Sequence, residues 1–170
     1  MKLNIGCGSN KINGYVNCDI DSRASPDKVI DITKKLPFKT NSVDEIVCFH
    51  TLEHIPQHTL VAVTLPEMWR VCKPGATLKI RVPYMDAQTA LNHHTRFNED
   101  TFKNWCRDCF EKDPRNSESF PFNFSFHVEK IELGKSKAWK WIYSLLPLKV
   151  WKGLWSHLVE EIRIELKAEK

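Results

Sequence analysis

The feature that most constrains this chain is its opening. Leu3-Asn4-Ile5 runs straight into Gly6-Cys7-Gly8, and Val16-Asn17-Cys18-Asp19 follows after a short polar segment. That order reads as a strand, a tight glycine turn, a second strand and an acid at the second strand's C-terminal end. Glycine permits positive φ and lets a ligand approach where a Cβ would stand. A carboxylate at such a strand end can accept both hydroxyls of a ribose. Gly-x-Gly alone is a weak signal, because the third glycine of the dinucleotide fingerprint is absent. The rest of the chain has to decide what the turn is for.

Lys28-Val29-Ile30-Asp31-Ile32 is a β-branched run and reads as a third strand. Residues 43–50 become continuously apolar toward their end, which suits a buried parallel strand. Residues 51–72 read as helical, with Pro66 dividing them into two short helices. The second is expected from about Pro66 to Cys72, stopped by Lys73-Pro74-Gly75. Residues 76–83 form a fifth strand. A helix over 99–110, strands over 124–133 and 160–166, and a helix over 138–158 split at Pro147 complete the chain. The order predicts an α/β fold: a Rossmann-like, doubly wound, mostly parallel seven-stranded sheet with a C-terminal antiparallel strand pair. Its ligands are expected at the C-terminal edge of the strands. At 170 residues, with no repeat or dividing linker, a single domain over 1–170 is expected.

Hydrophobic content of 42% against 27% charged excludes a disordered chain. The net charge of +4 permits an anionic partner but is too small to argue for nucleic acid, and none is expected. No secretory signal is expected, and no apolar run approaches the roughly 18 residues of a membrane span. Six cysteines in such a chain read as reduced thiols, so a cytoplasmic location is expected. Cys106-x-x-Cys109 has no second pair at metal-binding spacing and reads as structural.

Taken in order, these residues resemble a class I S-adenosylmethionine-dependent methyltransferase of the small "type 11" kind, over nearly the whole chain. Asn4-Ile5-Gly6-Cys7-Gly8 is similar to the family's first motif, and Asp19 stands where its ribose-binding acid stands. Asp31-Ile32 resembles the pair that reads adenine. Leu36-Pro37-Phe38, Ser42-Val43-Asp44 and His50-Thr51-Leu52-Glu53-His54-Ile55 resemble the run into and out of the fourth strand. Arg70-Val71-Cys72-Lys73-Pro74-Gly75 resembles the turn after the following helix. The resemblance implies S-adenosyl-L-methionine as cofactor, held by Asn4, Gly6, Cys7, Gly8, Asp19, Ile20, Asp31, Ile32, Phe49 and His50, with Ile20, Ile32 and Phe49 as apolar walls. It implies transfer of a methyl group to an acceptor, a small molecule, lipid or glycan before nucleic acid. The alternatives are a methyltransferase-like binding or scaffold protein without catalysis, and an enzyme that cleaves the cofactor.

Two departures from the pattern set further expectations. Only Ser9 to Gly14, six residues, separate the glycine turn from Tyr15, where the family fits a full helix. Ser9, Asn10 and Lys11 are then expected to replace that helix's N-terminal dipole at the cofactor carboxylate. The cap helices that precede the family's first strand are not expected here, and the site is expected to be open, or closed by a partner or a second copy.

Other residues carry more than one reading. Glu53 or His54 serves as general base, or His54 is a packed turn residue. Arg96, in His93-His94-Thr95-Arg96-Phe97, binds an anionic substrate group or belongs to a solvated loop. His50-x-x-Glu53-His54 matches an inverted zincin pattern, but it lies at a strand-to-helix turn before Pro56, and no metal is expected. Residues 135–155 combine five lysines with four tryptophans. They form either a helix docked on the sheet or a surface for peripheral membrane or lipid contact.

Overall fold

The computed structural model describes residues 1–84, 92–116, 118–135 and 159–170. One seven-stranded sheet organises them. Its strands are β1 (Lys2–Ile5), β2 (Val16–Asp19), β3 (Lys28–Val29), β4 (Val43–Phe49), β5 (Cys72–Pro83), β6 (Ser125–Lys135) and β7 (Val159–Glu169), in the order β3-β2-β1-β4-β5-β7-β6. The pairs from β3 to β5 are parallel, and β7 is antiparallel to both β5 and β6. The expected architecture is therefore present. β4 alternates only once and then buries Ile46, Val47 and Cys48 together, as a strand covered on both faces must.

Register decides where the site lies. Ile5 pairs with both Cys18 and Cys48, so Gly6, Asp19 and Phe49 leave the sheet side by side at one edge. The apolar residues of these strands form one core cluster with Leu60, Leu65, Met68 and Val71 of the covering helix and the aromatic residues Phe97, Phe102, Trp105, Phe124 and Phe126.

Between β4 and β5 runs a continuous helix in three segments: α1 (Gln57–Thr59), a π-helical turn (Leu60–Thr64) and α2 (Leu65–Val71). The expected division at Pro66 does not occur. Proline's missing N–H and its clash with the carbonyl four residues back, that of Ala62, are accommodated by widening the preceding turn to π geometry. Within that turn the Thr64 hydroxyl, fully buried, donates to the Ile32 carbonyl at 2.9 Å and ties the helix to the chain after β3.

Three more boundaries differ from the sequence reading. β3 ends at Val29 rather than Ile32, because the Asp31 carboxylate accepts from both the backbone N–H and hydroxyl of Thr33 (3.0 and 2.6 Å) and closes a turn. Pairing of β5 begins at Cys72, opposite Val43, and resumes after a bulge at Thr77 opposite Glu45, so Lys73-Pro74-Gly75 lies within the strand. The helix expected over 99–110 is two, α3 (Glu99–Lys103) and α4 (Arg107–Lys112). The break sets Trp105 against Phe102 and Phe97, and the Cys106 sulfur accepts from the Cys109 N–H as the cap of α4. All six cysteines are free. Burial pushes Cys48 and Cys72 up to about 12, so both are inert neutral thiols near neutral pH.

Arg70 shows why two distant sequence motifs occur together. Its guanidinium donates to the carbonyls of Leu36 and Phe38, each at 3.0 Å, and to Glu67, whose carboxylate accepts the Leu36 N–H at 2.7 Å. The helix end and the 36–38 turn thus hold each other. No helix among the described residues is long and apolar enough to cross a membrane. The helix expected over 138–158 and nearly all of the lysine/tryptophan stretch over 135–155 lie outside the described residues.

Candidate functional site

The glycine turn is shaped by what stands behind it. Gly6 has φ +69°, and a Cβ there would lie 2.0 Å from Thr51 Oγ1, so only glycine fits while Thr51 follows β4. The N–H groups of Gly6 and Cys7 both donate to the Cys18 carbonyl (2.9 and 3.0 Å), which folds the turn over the end of β2. Asn4 is buried and donates to the Asn10 carbonyl and to Asn17 Oδ1, each at 2.9 Å. Asn17 also accepts from the Ile12 N–H and donates to Asp27. This network fixes the short 9–14 segment, which contains no helix, as its length implied.

Asp19 is locked in place by the same turn. Its Oδ2 accepts from the Gly8 N–H at 2.7 Å and its Oδ1 from the Asp21 N–H at 2.9 Å. Each carboxylate oxygen has a second lone pair, so both remain able to accept from a ligand. Asp31 is held by Thr33 and pairs through Oδ2 with Lys34 at 3.1 Å. The Thr33 hydroxyl and the Lys34 ammonium keep its carboxyl below the usual range despite partial burial.

Together these residues enclose a cavity of about 320 Å³ at the C-terminal edge of the sheet. Gly6, Gly8, Asp19, Asp31 and Thr33 line it with Ile5, Ile20, Ile30, Ile32 and Ile55, and His50, Thr51 and His54 close one side. Two carboxylates set among isoleucines match a ligand with a flat apolar part, a diol and an amine. Ile20 is 68% exposed, which leaves that rim open. A second cavity of about 490 Å³ lies across the glycine turn, lined by Asn4, Cys7, Ser9, Asn10, Lys11 and Phe49, and it shares Gly6, Gly8 and His50 with the first.

The structure therefore divides the expected cofactor residues. Seven line the first cavity. Asn4, Cys7 and Phe49 line the second and not the first, so Phe49 is not a wall of the first cavity; its ring carries the Arg81 guanidinium at 4.3 Å. Ser9, Asn10 and Lys11 stand in the second cavity, where the missing helix would have pointed. Arg96 is exposed and is a wall of neither cavity. Glu53 does not line the first cavity beside His54: it points inward and is 1% exposed. Burial pushes its carboxyl above the ordinary glutamate range.

His50, at the end of β4, has a left-handed backbone (φ +51°), a conformation that costs a non-glycine residue about 1–3 kcal/mol and clusters at functional sites. It lines both cavities, bonds Glu161 of β7 at 2.8 Å and stands 3.5 Å from Glu53. Thr33, Thr51, Ile30, Ile55 and Glu161 were not anticipated. Thr33 carried the only local signal, as a hydroxyl two residues after an aspartate.

A strand order of 3-2-1-4-5-7-6 with a glycine turn and acids at the ends of consecutive strands defines a class I methyltransferase fold. Residues 3–80, a little under half of the chain, match the family model described as "Methyltransferase domain". No curated protein matches the chain. Among solved structures, it is similar to a SAM-dependent methyltransferase from Archaeoglobus fulgidus, with 16% identity, 98% of this chain and 85% of that one covered, and a TM-score of 0.66. A SAM-dependent methyltransferase from Methanosarcina mazei gives 18% identity, 99% and 92% coverage, and a TM-score of 0.56. A chain of the complex between the Haloferax volcanii Trm112 methyltransferase activator and a methyltransferase gives 16%, 99% and 82%, and 0.58. At these identities the structural likeness speaks for the fold.

Proposed function

We propose that the first cavity holds S-adenosylmethionine through Asp19 and Asp31, and that the methyl group passes to a small-molecule, lipid or glycan acceptor. The observation that carries this is the pair of carboxylates at the end of β2 and in the turn after β3, held by backbone and hydroxyl donors over a cavity walled by isoleucine. Asp19 accepts the ribose hydroxyls, Asp31 the adenine amine, and Ile20, Ile30 and Ile32 cover the ring. Gly6 and Gly8 admit the methionyl part beside Ser9, Asn10 and Lys11, whose polar groups receive its carboxylate. When bound, the cofactor supplies an electrophilic methyl group. The chain contributes position and exclusion of water, which can account for most of an in-line displacement.

His54 is on the cavity wall with Glu53 behind it, so the acceptor's nucleophile is received there and its proton taken up on that side. Arg96, exposed after the loop, attracts an anionic group of the acceptor from outside the cavity. The open rim at Ile20 and the exposed Val29 of edge strand β3 favour a partner or second copy that closes the site. The Haloferax complex, a methyltransferase with an activator, is a precedent for a partner protein in this fold.

The test is release of S-adenosylhomocysteine from S-adenosylmethionine with pooled hydroxylated metabolites, lipids and glycans. Release that depends on an acceptor pool supports the reading. Acceptor-independent breakdown of the cofactor would instead identify a cleaving enzyme, and binding without turnover in any pool, with or without an added partner, a binding protein.

A further inference from the structure

The buried Glu53 has a feature that packing does not explain. Its Oε2 is enclosed and has no hydrogen-bond partner among the described residues, and the same is true of Nδ1 of His93. Unpaired buried polar atoms are rare because each forfeits its hydration, at about 1–3 kcal/mol. Two of them stand in one cluster: Glu53, His54 and His93 each bring one potential ligand atom to within 4.8 Å of the others.

The chain builds this cluster deliberately. The N–H groups of His94 and Thr95 donate to the Glu53 carbonyl (2.7 and 3.1 Å), and the Thr95 hydroxyl donates to the Ile55 carbonyl at 2.5 Å. Those bonds carry His93, forty residues along, to the turn that holds Glu53 and His54. The His54 ring meets the His93 ring edge-on, with centroids 5.0 Å apart, and its Nδ1 lies 3.2 Å from the Asn92 carbonyl. A ring N–H donated to a carbonyl fixes the tautomer and leaves Nε2 as a lone-pair donor, the usual arrangement of a metal-ligating histidine.

We propose that Glu53, His54 and His93 bind a divalent transition metal, zinc or iron(II). Two histidines and one carboxylate suit either ion and leave a coordination position open. Bonds of about 2.0–2.1 Å place tetrahedral ligand atoms about 3.3 Å apart, so side-chain rotation of an ångström or so closes the cluster on the ion. The His50-x-x-Glu53-His54 pattern thus contributes only its last two residues, and the third ligand comes from the loop before α3. His54 is shared with the wall of the first cavity, so the open position is available to an acceptor's hydroxyl or thiol, whose proton the metal makes easier to remove. That role, unlike the site itself, rests on the methyl-transfer reading.

The protein is stripped with chelator, equilibrated anaerobically with zinc, iron(II) and magnesium, desalted, and assayed for metal by mass spectrometry. S-adenosylmethionine binding is measured on the same samples. About one equivalent of zinc or iron and no magnesium is expected. Glu53→Gln and His93→Ala should each weaken binding by more than about 100-fold, the upper limit for loss of a mere supporting residue. His127→Ala, exposed on β6, should not. Failure of the wild type to retain zinc or iron, or retention unchanged in His93→Ala, overturns the site; His93→Ala decides even if Glu53→Gln does not fold. Metal uptake without cofactor binding keeps the site and removes its part in methyl transfer. Cofactor binding without metal uptake removes the site alone.

Discussion

Replacing Gly6 by alanine perturbs the glycine turn where it is tightest. Gly6 and Gly8 are both left-handed, at φ +69° and +47°, but only at Gly6 would a Cβ collide: 2.0 Å from Thr51 Oγ1 and 2.7 Å from its Cγ2, against nothing among the described residues within 4 Å at Gly8. The left-handed conformation costs alanine roughly 1–2 kcal/mol at either position. Overpacking adds about 1–3 kcal/mol at Gly6 alone. Gly8→Ala should therefore lose about 1–2 kcal/mol and Gly6→Ala about 2–5, a large part of a total stability of about 5–15 kcal/mol. At about 2–4 °C per kcal/mol for a chain of this size, the midpoints fall by about 2–8 °C and about 4–20 °C. Thermal and urea unfolding followed by circular dichroism measure both. Thr51→Ala removes Oγ1 and Cγ2 but leaves Cβ at 2.9 Å, so the double variant should recover part of the loss, with a coupling of about 1–2 kcal/mol. Equal losses at Gly6 and Gly8, or no coupling to Thr51, would refute the steric account.

Other consequences are open to direct measurement. Thr64→Val leaves the Ile32 carbonyl without its buried donor and should destabilise by about 1–3 kcal/mol in urea titration. Asp31→Asn should weaken S-adenosylmethionine binding about tenfold by calorimetry, the scale of one lost charged hydrogen bond. Burial alone would push Glu45 up, but Lys2 and Lys79, at 2.8 and 2.7 Å, hold it down to about 2. A carboxyl lowered by folding contributes stability above its unfolded value near 4.5 and loses it as pH falls toward 2. With both lysines half-exposed the contribution is about 1–2 kcal/mol, so Glu45→Gln should flatten the stability profile between those pH values.

The strands were legible because each is an apolar or alternating run closed by a turn residue, and hydrophobic period does not depend on distant contacts. Element ends were not. The close of β3 depends on Asp31 turning back to Thr33, and the intact helix through Pro66 on a π turn that no residue period announces. The break at Trp105 depends on rings supplied by Phe97 and Phe102. That Asp19 and Asp31 stand at one edge of the sheet was legible from the turn residues that follow each strand. Glu53 was misplaced because a one-residue difference along a 3₁₀ turn decides between the cavity and the interior. His93 could be matched to Glu53 only through hydrogen bonds that the fold itself creates.

Calorimetric titration with S-adenosylmethionine tests the central claim most directly. One site per chain is expected, with Asp19→Ala weakening binding by more than about tenfold through the lost charged hydrogen bonds to the ribose. A folded protein that gives no binding at millimolar cofactor, or an Asp19→Ala variant that binds as well as the wild type, would contradict it.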